Sequence, residues 1–485
     1  MKFRRLIYIS FLAAFAAAAF FLLPYSMGYR YDFKKNQLVR TGSLVIDSVP
    51  QNALIYLEKK SQPIDFTQFA RSLKKWLVSG NLEEKTPVIF NLAPNEYSLE
   101  VIKDGYYPWK KQLTVQSRQT TFADRILLFS RQPKIDALVQ EDIRAAYPSP
   151  DSPKIAYLIF SEIGERISLL DIESEKSIPL HAASFPVADI RWSPSSKKLL
   201  VAEDNDGRTY YSVIGIEKPD ETIALDSFRF AGAKSDKMSD LKDARWDSEN
   251  DTLLYAASQN AVYRIDLLNR DVRPLVEFSA GVVDYLVGKD ALYYLENIAG
   301  KNGTCLKRQD ISGLPAADDC DYIFPLAADY RFISQPDAPK GMIAVKDEKK
   351  GILFLVDMNA SGGGQDPLLK ADAKDFQWSA DGKKLLYYND FELWVFYPED
   401  DKKELLSRYS SPIVKAVWYP GKDYVIFAFN DSVQAIEEDG RDKRNAAELA
   451  KIDGAESLMM PASQPLLYLN GKIGGQMGLY KIKIQ

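Results

Sequence analysis

The stretch Ile190-Arg-Trp-Ser-Pro-Ser-Ser-Lys-Lys-Leu-Leu-Val201 recurs in three further copies along the chain. They are Ala244-Arg-Trp-Asp-Ser-Glu-Asn-Asp-Thr-Leu-Leu-Tyr255, Phe376-Gln-Trp-Ser-Ala-Asp-Gly-Lys-Lys-Leu-Leu-Tyr387 and Ala416-Val-Trp-Tyr-Pro-Gly-Lys-Asp-Tyr-Val-Ile-Phe427. Each copy ends a short apolar run on a tryptophan, continues through a polar turn, and returns to an apolar pair. A run, a turn and a second run of this length are typical of two paired β-strands.

Fainter copies fill the gaps between the strong ones, at intervals of 39 to 54 residues. A repeat of this length built from short strands indicates a β-propeller in which each repeat is one blade. Eight anchors favour eight blades over residues 140–485, and seven is the alternative. The anchors are Tyr147, Trp192, Trp246, Tyr285, Phe332, Trp378, Trp418 and Met459.

The last repeat has only three apparent strands, which would leave one sheet with an open edge. A strand from before the first blade is expected to complete it. Ala137-Leu-Val139 and Arg125-Ile-Leu-Leu-Phe129 are both candidates, and the sequence does not separate them.

The N-terminus predicts a membrane anchor. Residues 1–5 carry three basic side chains, and residues 6–24 are apolar and end at Pro24. A run of this length suits a single transmembrane helix, and the positive-inside rule then places residues 1–5 in the cytoplasm. Residues 25–40 are expected to be a juxtamembrane linker, with the body of the chain outside the cell membrane. A cleaved signal peptide is the alternative.

Residues 41–130 form a separate small β-module in this interpretation. Gly42-Ser-Leu-Val-Ile-Asp-Ser-Val49 alternates apolar and polar residues as a half-buried strand does. The turn Pro50-Gln51-Asn52-Ala53 follows, and Asn52 tolerates the left-handed backbone conformation better than most residues. With Thr86-Pro87, Leu92-Ala-Pro94 and Gly105-Tyr106, this order of motifs resembles the PEGA domain, which implies a surface-associated β-sandwich.

Residues 61–85 depart from that resemblance, because they lengthen a connection that is short in the family. Phe66, Phe69, Leu73 and Trp76 recur at helical spacing, with basic residues on the other side. This pattern predicts an amphipathic helical insertion that packs on its own sandwich, or alternatively lies on a membrane.

The form Trp-Ser-Ala-Asp-Gly-Lys-Lys-Leu-Leu resembles the repeats of TolB-type and WD-repeat-like propellers over residues 140–485. The resemblance implies the propeller fold and no particular ligand. Trp192, Trp246, Trp378 and Trp418 are expected to be repeat core residues that pack the blades together.

The chain has two cysteines, Cys305 and Cys320, and we interpret them as a disulfide; two buried free thiols are the alternative. No catalytic, metal or cofactor-binding residues are predicted. His181 is the only histidine, and no nucleophile motif or phosphate loop is present. Residues 36–485 carry 56 basic against 66 acidic side chains, which argues against nucleic acid as a partner.

These observations predict an all-β, membrane-anchored binding scaffold of the cell envelope, with the propeller recognising a protein or a glycan. The longest interval between repeats contains the polar residues 231–239, which we expect to contact a partner. The alternative function is an extracytoplasmic hydrolase acting on glycans or peptides. It would use two carboxylates in the central mouth of the propeller.

Overall fold

The structure is a computed structural model of the 485-residue chain. It describes residues 11–12, 15–16, 18–20, 28–32, 37–59, 84–161, 164–230, 241–258, 261–277, 282–289, 291–298, 303–310, 320–325, 329–335, 337–359, 366–461 and 466–485.

The first strands form a hairpin and a small sandwich of two three-stranded sheets. The hairpin pairs β1 (Tyr29–Asp32) with β2 (Gln37–Arg40). The sandwich contains β3 (Gly42–Val49), β4 (Leu54–Lys59), β5 (Val88–Leu92), β6 (Asn95–Ile102), β7 (Trp109–Val115) and β8 (Thr120–Leu127). One sheet has the order β5-β3-β8 and the other the order β4-β6-β7.

Alternating side chains hold the two sheets together. Every second residue of β3 and of β7 is buried, and the apolar residues among them meet in one core. In the turn after β3, Asn52 has a φ of 61°, and the Thr86 hydroxyl accepts a hydrogen bond from the Ala53 amide. Residues 42–127 therefore contain two three-stranded sheets packed against each other.

Eight further sheets follow within the part of the chain that the structure describes. The chain first forms β9 (Lys134–Val139). Blade 1 then contains β10 (Ile143–Pro148), β11 (Lys154–Ser161), β12 (Gly164–Asp171) and β13 (Lys176–Ala182). Blade 2 contains β14 (Val187–Trp192), β15 (Lys198–Asn205), β16 (Arg208–Gly215) and β17 (Ile223–Ala224). A 3-10 turn at Leu225–Ser227 leads to β18 (Arg229–Phe230), which pairs in parallel with the outermost strand of blade 3.

Blades 3 to 5 repeat the same antiparallel order. Blade 3 contains β19 (Lys242–Trp246), β20 (Leu253–Ala257), β21 (Ala261–Asp266) and β22 (Asp271–Glu277). Blade 4 contains β23 (Val282–Val287), β24 (Ala291–Asn297), β25 (Gly303–Asp310) and β26 (Tyr322–Pro325). Blade 5 contains β27 (Tyr330–Phe332), β28 (Met342–Asp347), β29 (Ile352–Asp357) and β30 (Leu369–Asp372).

The last three blades bring the chain back to its starting point. Blade 6 contains β31 (Asp375–Trp378), β32 (Leu385–Tyr388), β33 (Glu392–Tyr397) and β34 (Lys402–Arg408), with a 3-10 turn at Pro398–Asp400. Blade 7 contains β35 (Lys415–Trp418), β36 (Tyr424–Ala428), β37 (Ser432–Glu437) and β38 (Ala446–Lys451). Blade 8 contains β39 (Gly454–Met459), β40 (Leu467–Ile473) and β41 (Gln476–Lys483).

The ring closes through β9, which pairs antiparallel with β41 and so becomes the fourth strand of blade 8. Of the two closing segments that the sequence left open, the structure uses the one containing Ala137–Val139. The other, 125–129, begins in β8 of the sandwich. Apolar side chains of β9, blade 8 and blade 1 pack in one core across the closure. The eight blades therefore form a closed propeller.

The repeated turn has a physical basis that is common to the strong copies. In blade 2 the Ser193 amide donates to the Lys198 carbonyl, and in blade 6 the Ser379 amide donates to the Lys384 carbonyl. Both turns contain one residue with left-handed backbone, Ser196 at φ 60° and Gly382 at φ 67°. The apolar pair that follows each turn starts a strand buried on both faces between neighbouring blades.

One repeat was placed in the wrong register. The sequence used Tyr285 as the anchor of blade 4, but the pairing of β23 with β24 makes Asp284 equivalent to Asp189 of blade 2, since each follows the strand's bulge. Val287 therefore occupies the position that Trp192 has in blade 2. Tyr285 is instead buried, and its hydroxyl donates to the carbonyls of Asp243 and Tyr255.

The membrane part of the predicted fold class is wrong. The sequence predicted a transmembrane helix over residues 6–24, hence a single-pass membrane protein with an extracytoplasmic body and the membrane as a partner. Among the described residues, no helix is long and apolar enough to cross a bilayer. A spanning helix needs about 20 consecutive apolar residues, and the helical residues described here are 11–12, 15–16 and 18–20. The rest of 6–24 lies outside the described residues.

Two other sequence predictions also lie outside the described residues. They are the helical insertion, of which 84–85 alone are described, and the polar segment 231–239 that was expected to contact a partner.

Candidate functional site

The sandwich is joined to blade 7 by a buried ion pair. Lys111 of β7 lies on the inward side of its strand, and its side chain is 0% exposed. Its Nζ lies 2.5 Å from Glu437 Oε1 and donates to the Asp439 carbonyl at 2.8 Å. Glu437 also accepts hydrogen bonds from Trp109 Nε1 at 2.7 Å and from the Asn445 amide at 2.7 Å. A buried charge pair with this many hydrogen bonds holds the two modules in one orientation.

The free edge of β7 is covered by the loop between β37 and β38 of blade 7, which contains Asp439 and Asn445. Asn445 accepts a hydrogen bond from the Lys110 amide and donates one to the Lys110 carbonyl, both at 3.0 Å. Asp442 accepts from the Gln112 amide at 2.9 Å. These side chains replace the partner strand that an edge strand lacks, so β7 is closed to further pairing.

A cleft of about 980 Å³ lies beside this seam. One wall is the sandwich, with residues 112–114 of β7 and 120–126 of β8. The other wall comes from blades 6 and 7. Its volume is at the upper end of the range found for ligand-binding pockets. We call this space the cleft, and it is lined on the propeller side by Lys384, Tyr397, Lys402, Glu404, Asp423, Tyr424, Glu438, Asp439, Gly440, Arg441 and Asp442.

The charges of the cleft are paired with one another across its floor. Lys384 bridges Asp423 at 2.9 Å and Glu438 at 2.7 Å, and Arg125 of β8 contacts Asp423 at 2.8 Å. Burial raises the pKa of Asp423, but Lys384 and Arg125 outweigh burial and hold that pKa below its ordinary value. Burial and a hydrogen bond to Glu438 raise the pKa of the Tyr397 hydroxyl. These ion pairs shape the floor and leave it charged.

The cleft has an acidic balance. Six carboxylates line it against four cationic side chains, which gives a formal charge of −2 for the lining residues. The carboxylates are Asp124, Glu404, Asp423, Glu438, Asp439 and Asp442, and the cations are Arg125, Lys384, Lys402 and Arg441. The arrangement favours a ligand with positive charge.

The central mouth holds a different charged arrangement. The first strands of most neighbouring blades contact one another, as the innermost strands of a propeller do. Asp189 and Arg191 of blade 2 are 2.6 Å apart, Arg191 and Asp243 of blade 3 are 2.6 Å apart, and Arg245 contacts both Asp243 and, at 2.9 Å, Asp284 of blade 4. We call this chain of ion pairs the inner arc.

The inner arc ties blades together. Burial raises the pKa of Asp243, but Arg245 and Arg191 outweigh burial and hold it below its ordinary value. Burial raises the pKa of Asp284, and the nearby Arg245 cancels only part of this increase. Asp284 Oδ2 also accepts from the Phe332 amide of blade 5 at 2.7 Å. Asp243 and Asp284 are therefore engaged in blade-to-blade contacts, and Asp189 holds Arg191 within blade 2; the sequence singled out none of the three.

The tryptophans of the strong repeats lie at the ends of innermost strands. Three indole Nε1 groups donate to a backbone carbonyl of the preceding blade: Trp192 to Tyr147 at 2.9 Å, Trp246 to Arg191 at 3.1 Å, and Trp418 to Gln377 at 3.1 Å. Trp378 is 1% exposed in the apolar core between blades 5 and 6. All four residues contact the neighbouring blade.

Cys305 lies in β25, and Cys320 comes just before β26, the outermost strand of blade 4. Their Cα atoms are 5.5 Å apart, within the usual range for a disulfide, and the structure joins the two sulfurs. The bond ties the two outer strands of that blade together.

Two features that the sequence analysis missed had visible signals. Lys111 stands between Trp109 and Leu113 in an alternating strand, so its side chain had to point inward and needed a buried partner. An aspartate also comes three residues before three of the repeat tryptophans, at Asp189, Asp243 and Asp375. His181, the only histidine of the sequence, lies in β13, with Nε2 3.0 Å from Glu203 Oε1.

Comparisons with known proteins identify no family for this chain. No family model matches the chain, and no curated protein matches its sequence. The resemblance to the PEGA domain therefore stays a prediction. Solved structures that the chain resembles include a crystal structure of a eukaryotic initiation factor (TM-score 0.47, 15% identity, 75% of this chain and 87% of that chain covered). Others are Saccharomyces cerevisiae Sqt1 (0.46, 10%, 72% and 98%) and the Dos1 propeller (0.45, 14%, 73% and 95%).

The strand order defines the class independently of these likenesses. Seven four-stranded sheets and one five-stranded sheet in the described residues, closed by a strand from before the first blade, make this chain a β-propeller protein with an N-terminal β-sandwich.

Proposed function

We propose that this protein is a binding scaffold and that the cleft between sandwich and propeller recognises a protein partner. The observation that carries the proposal is the cleft itself, an open space of about 980 Å³ bounded by two modules that a buried ion pair holds in place. A site between two rigidly joined modules is preorganised, so a partner does not have to order it on binding.

The chemistry of the two charged regions supports binding rather than catalysis. The inner-arc carboxylates are each tied to an arginine, and the carboxylates on the cleft floor are tied to lysine or arginine. A general acid or base needs a pKa close to the operating pH and access to its substrate. Side chains that pair with fixed neighbours are better suited to shaping a surface.

The proposal is tested by photocrosslinking from inside the cleft. A photoreactive phenylalanine analogue replaces Phe122 of β8, which lines the cleft and is 52% exposed. The matched control carries it at Phe160 of blade 1, which is 59% exposed and outside the cleft. In cells that naturally contain the protein, we expect a discrete protein adduct from position 122 and none of the same mass from position 160. Identical adducts from both positions, or none from position 122, would contradict the proposal.

A further inference from the structure

We propose that the partner segment enters the cleft as an extended strand that pairs with the free edge of β8. We further propose that this segment carries basic residues on both sides of an apolar one. The inference rests on the proposed function, since it specifies what the protein-binding cleft accepts. It is carried by the backbone geometry of β8, by the way its edge ends, and by the charge around it.

One edge of β8 forms backbone hydrogen bonds with β3, and its other edge pairs with no strand among the described residues. β8 pairs in parallel with β3 alone, and the Ser43 amide donates to the Gln119 carbonyl. Because successive residues of a strand direct their amides and carbonyls to opposite sides, Thr121 and Ala123 also face β3, and Thr120 and Phe122 face the cleft. The hydrogen bond from Arg441 Nη2 to the Phe122 carbonyl, at 2.8 Å, agrees with this assignment.

The open edge has defined ends. After Ala123 a bulge reverses which residues face outward, and the Leu127 amide then donates to no strand but to the Tyr424 hydroxyl, at 3.2 Å. Among the described residues, the Phe122 amide makes no hydrogen bond to another protein group. The edge of β7 is covered by Asn445 and Asp442, whereas β8 between Thr120 and Asp124 borders empty space.

The Arg441 guanidinium occupies the position of one amide of an incoming strand. Its side chain is 49% exposed, and it is held by Asp439 as well as by the Phe122 carbonyl. A peptide strand could replace that single bond with its own amide while Arg441 stays on Asp439. Pairing along Thr120 and Phe122 would then supply up to four backbone hydrogen bonds, the mode of recognition known as β-strand addition.

Charge and shape select the side chains of the occupant. Phe122 pairs with Val45 of the middle strand, and Val45 pairs with Ile89 of the far strand, so the three side chains form an apolar row across the sheet. Ile89 at the end of this row is 65% exposed. An added strand would place an apolar residue beside Phe122 and extend that row. The lining residues carry six carboxylates against four cations, so flanking lysine or arginine is favoured.

The test uses phage-displayed random octapeptides selected on the immobilised full-length protein, and the enriched peptides are then assayed for binding to a Phe122→Pro variant. Proline removes the outward amide at this position, whereas the bonds to β3 come from the neighbouring residues, so the ladder is retained. A Phe122→Thr variant keeps the amide and loses the ring. Equal thermal unfolding midpoints of the three proteins show that each is folded.

We expect enriched peptides with alternating apolar and Lys/Arg residues that bind Phe122→Thr more weakly and Phe122→Pro not at all. N-methylation of alternate residues in a synthetic copy should weaken binding by at least about tenfold, because about two backbone hydrogen bonds are lost. No enrichment, acidic consensus peptides, or binding that is insensitive to N-methylation and to Phe122→Pro would overturn the inference. If photocrosslinking from Phe122 still captures a partner in that case, strand pairing is wrong and the cleft remains a binding site.

Discussion

Replacing Lys111 by methionine tests whether the buried ion pair holds the sandwich against the propeller. Methionine keeps most of the length of the side chain and removes its charge, so Glu437, whose side chain is 2% exposed, would lose its ionic partner. Breaking a buried pair from one side costs about 3–5 kcal/mol. Trp109 and Asn445 would still donate to the carboxylate, so we expect the lower end, about 3 kcal/mol.

The assay is hydrogen exchange at the Gln112 amide, which donates to Asp442 across the seam and is exposed when the modules separate. A cost of about 3 kcal/mol corresponds to exchange that is faster by about a hundredfold. Lys110→Met is the matched control, because Lys110 is 62% exposed and pairs with Glu100 on the sandwich surface, where an ion pair contributes less than about 1 kcal/mol.

A double variant separates the ion pair from the loss of packing. Lys111→Met combined with Glu437→Leu should exchange more slowly than the two single effects multiplied, because no unpaired charge is left. If Lys111→Met changes exchange no more than Lys110→Met, or if the two single effects are simply additive, the ion pair does not hold the seam and the reasoning is refuted.

Three further predictions concern the propeller. Arg245→Met should lower the free energy of unfolding by about 3 kcal/mol in urea titrations, because the buried Asp284 loses its cationic partner, whereas Asp243 keeps Arg191; an unchanged midpoint would argue against the inner arc as a stabilising element. Burial raises the pKa of Glu203, but His181 and two backbone amides outweigh it and hold that pKa below its ordinary value. The carboxylate therefore stabilises the fold above about pH 4.3, its unfolded pKa, and this contribution is lost as the pH falls through the lower folded value. Glu203→Gln should cost about 1 kcal/mol at pH 7 and remove this pH dependence, measured by unfolding at pH 3 to 7. Replacing Cys305 and Cys320 together by serine should cost up to about 3 kcal/mol without reductant and nothing with it; equal stability of both proteins without reductant would contradict the bond.

The repeats could be read from the sequence because they are local. A tryptophan, a polar turn and an apolar pair specify two strands within twelve residues, and spacing along the chain then gives the number of blades. The alternation in β3 and β7 likewise follows from the period of a strand. Blade 4 was misplaced by two residues because Val287 stands where the strong repeats have tryptophan, so the local signal was missing.

The cleft depends on contacts that no local pattern contains. Lys111 and Glu437 are more than 300 residues apart in the chain. The position of the sandwich also depends on which segment closes the ring, the strand that contains Ala137 or the segment that begins at Arg125. Only the folded ring brings β8 opposite Asp423 and Arg441, leaving its edge open while that of β7 is covered. The sequence by itself determined the sheets, because side-chain alternation and turn chemistry act between near neighbours. The tertiary structure alone decided the site, because ion pairing across a seam and the exposure of a strand edge depend on how distant segments pack.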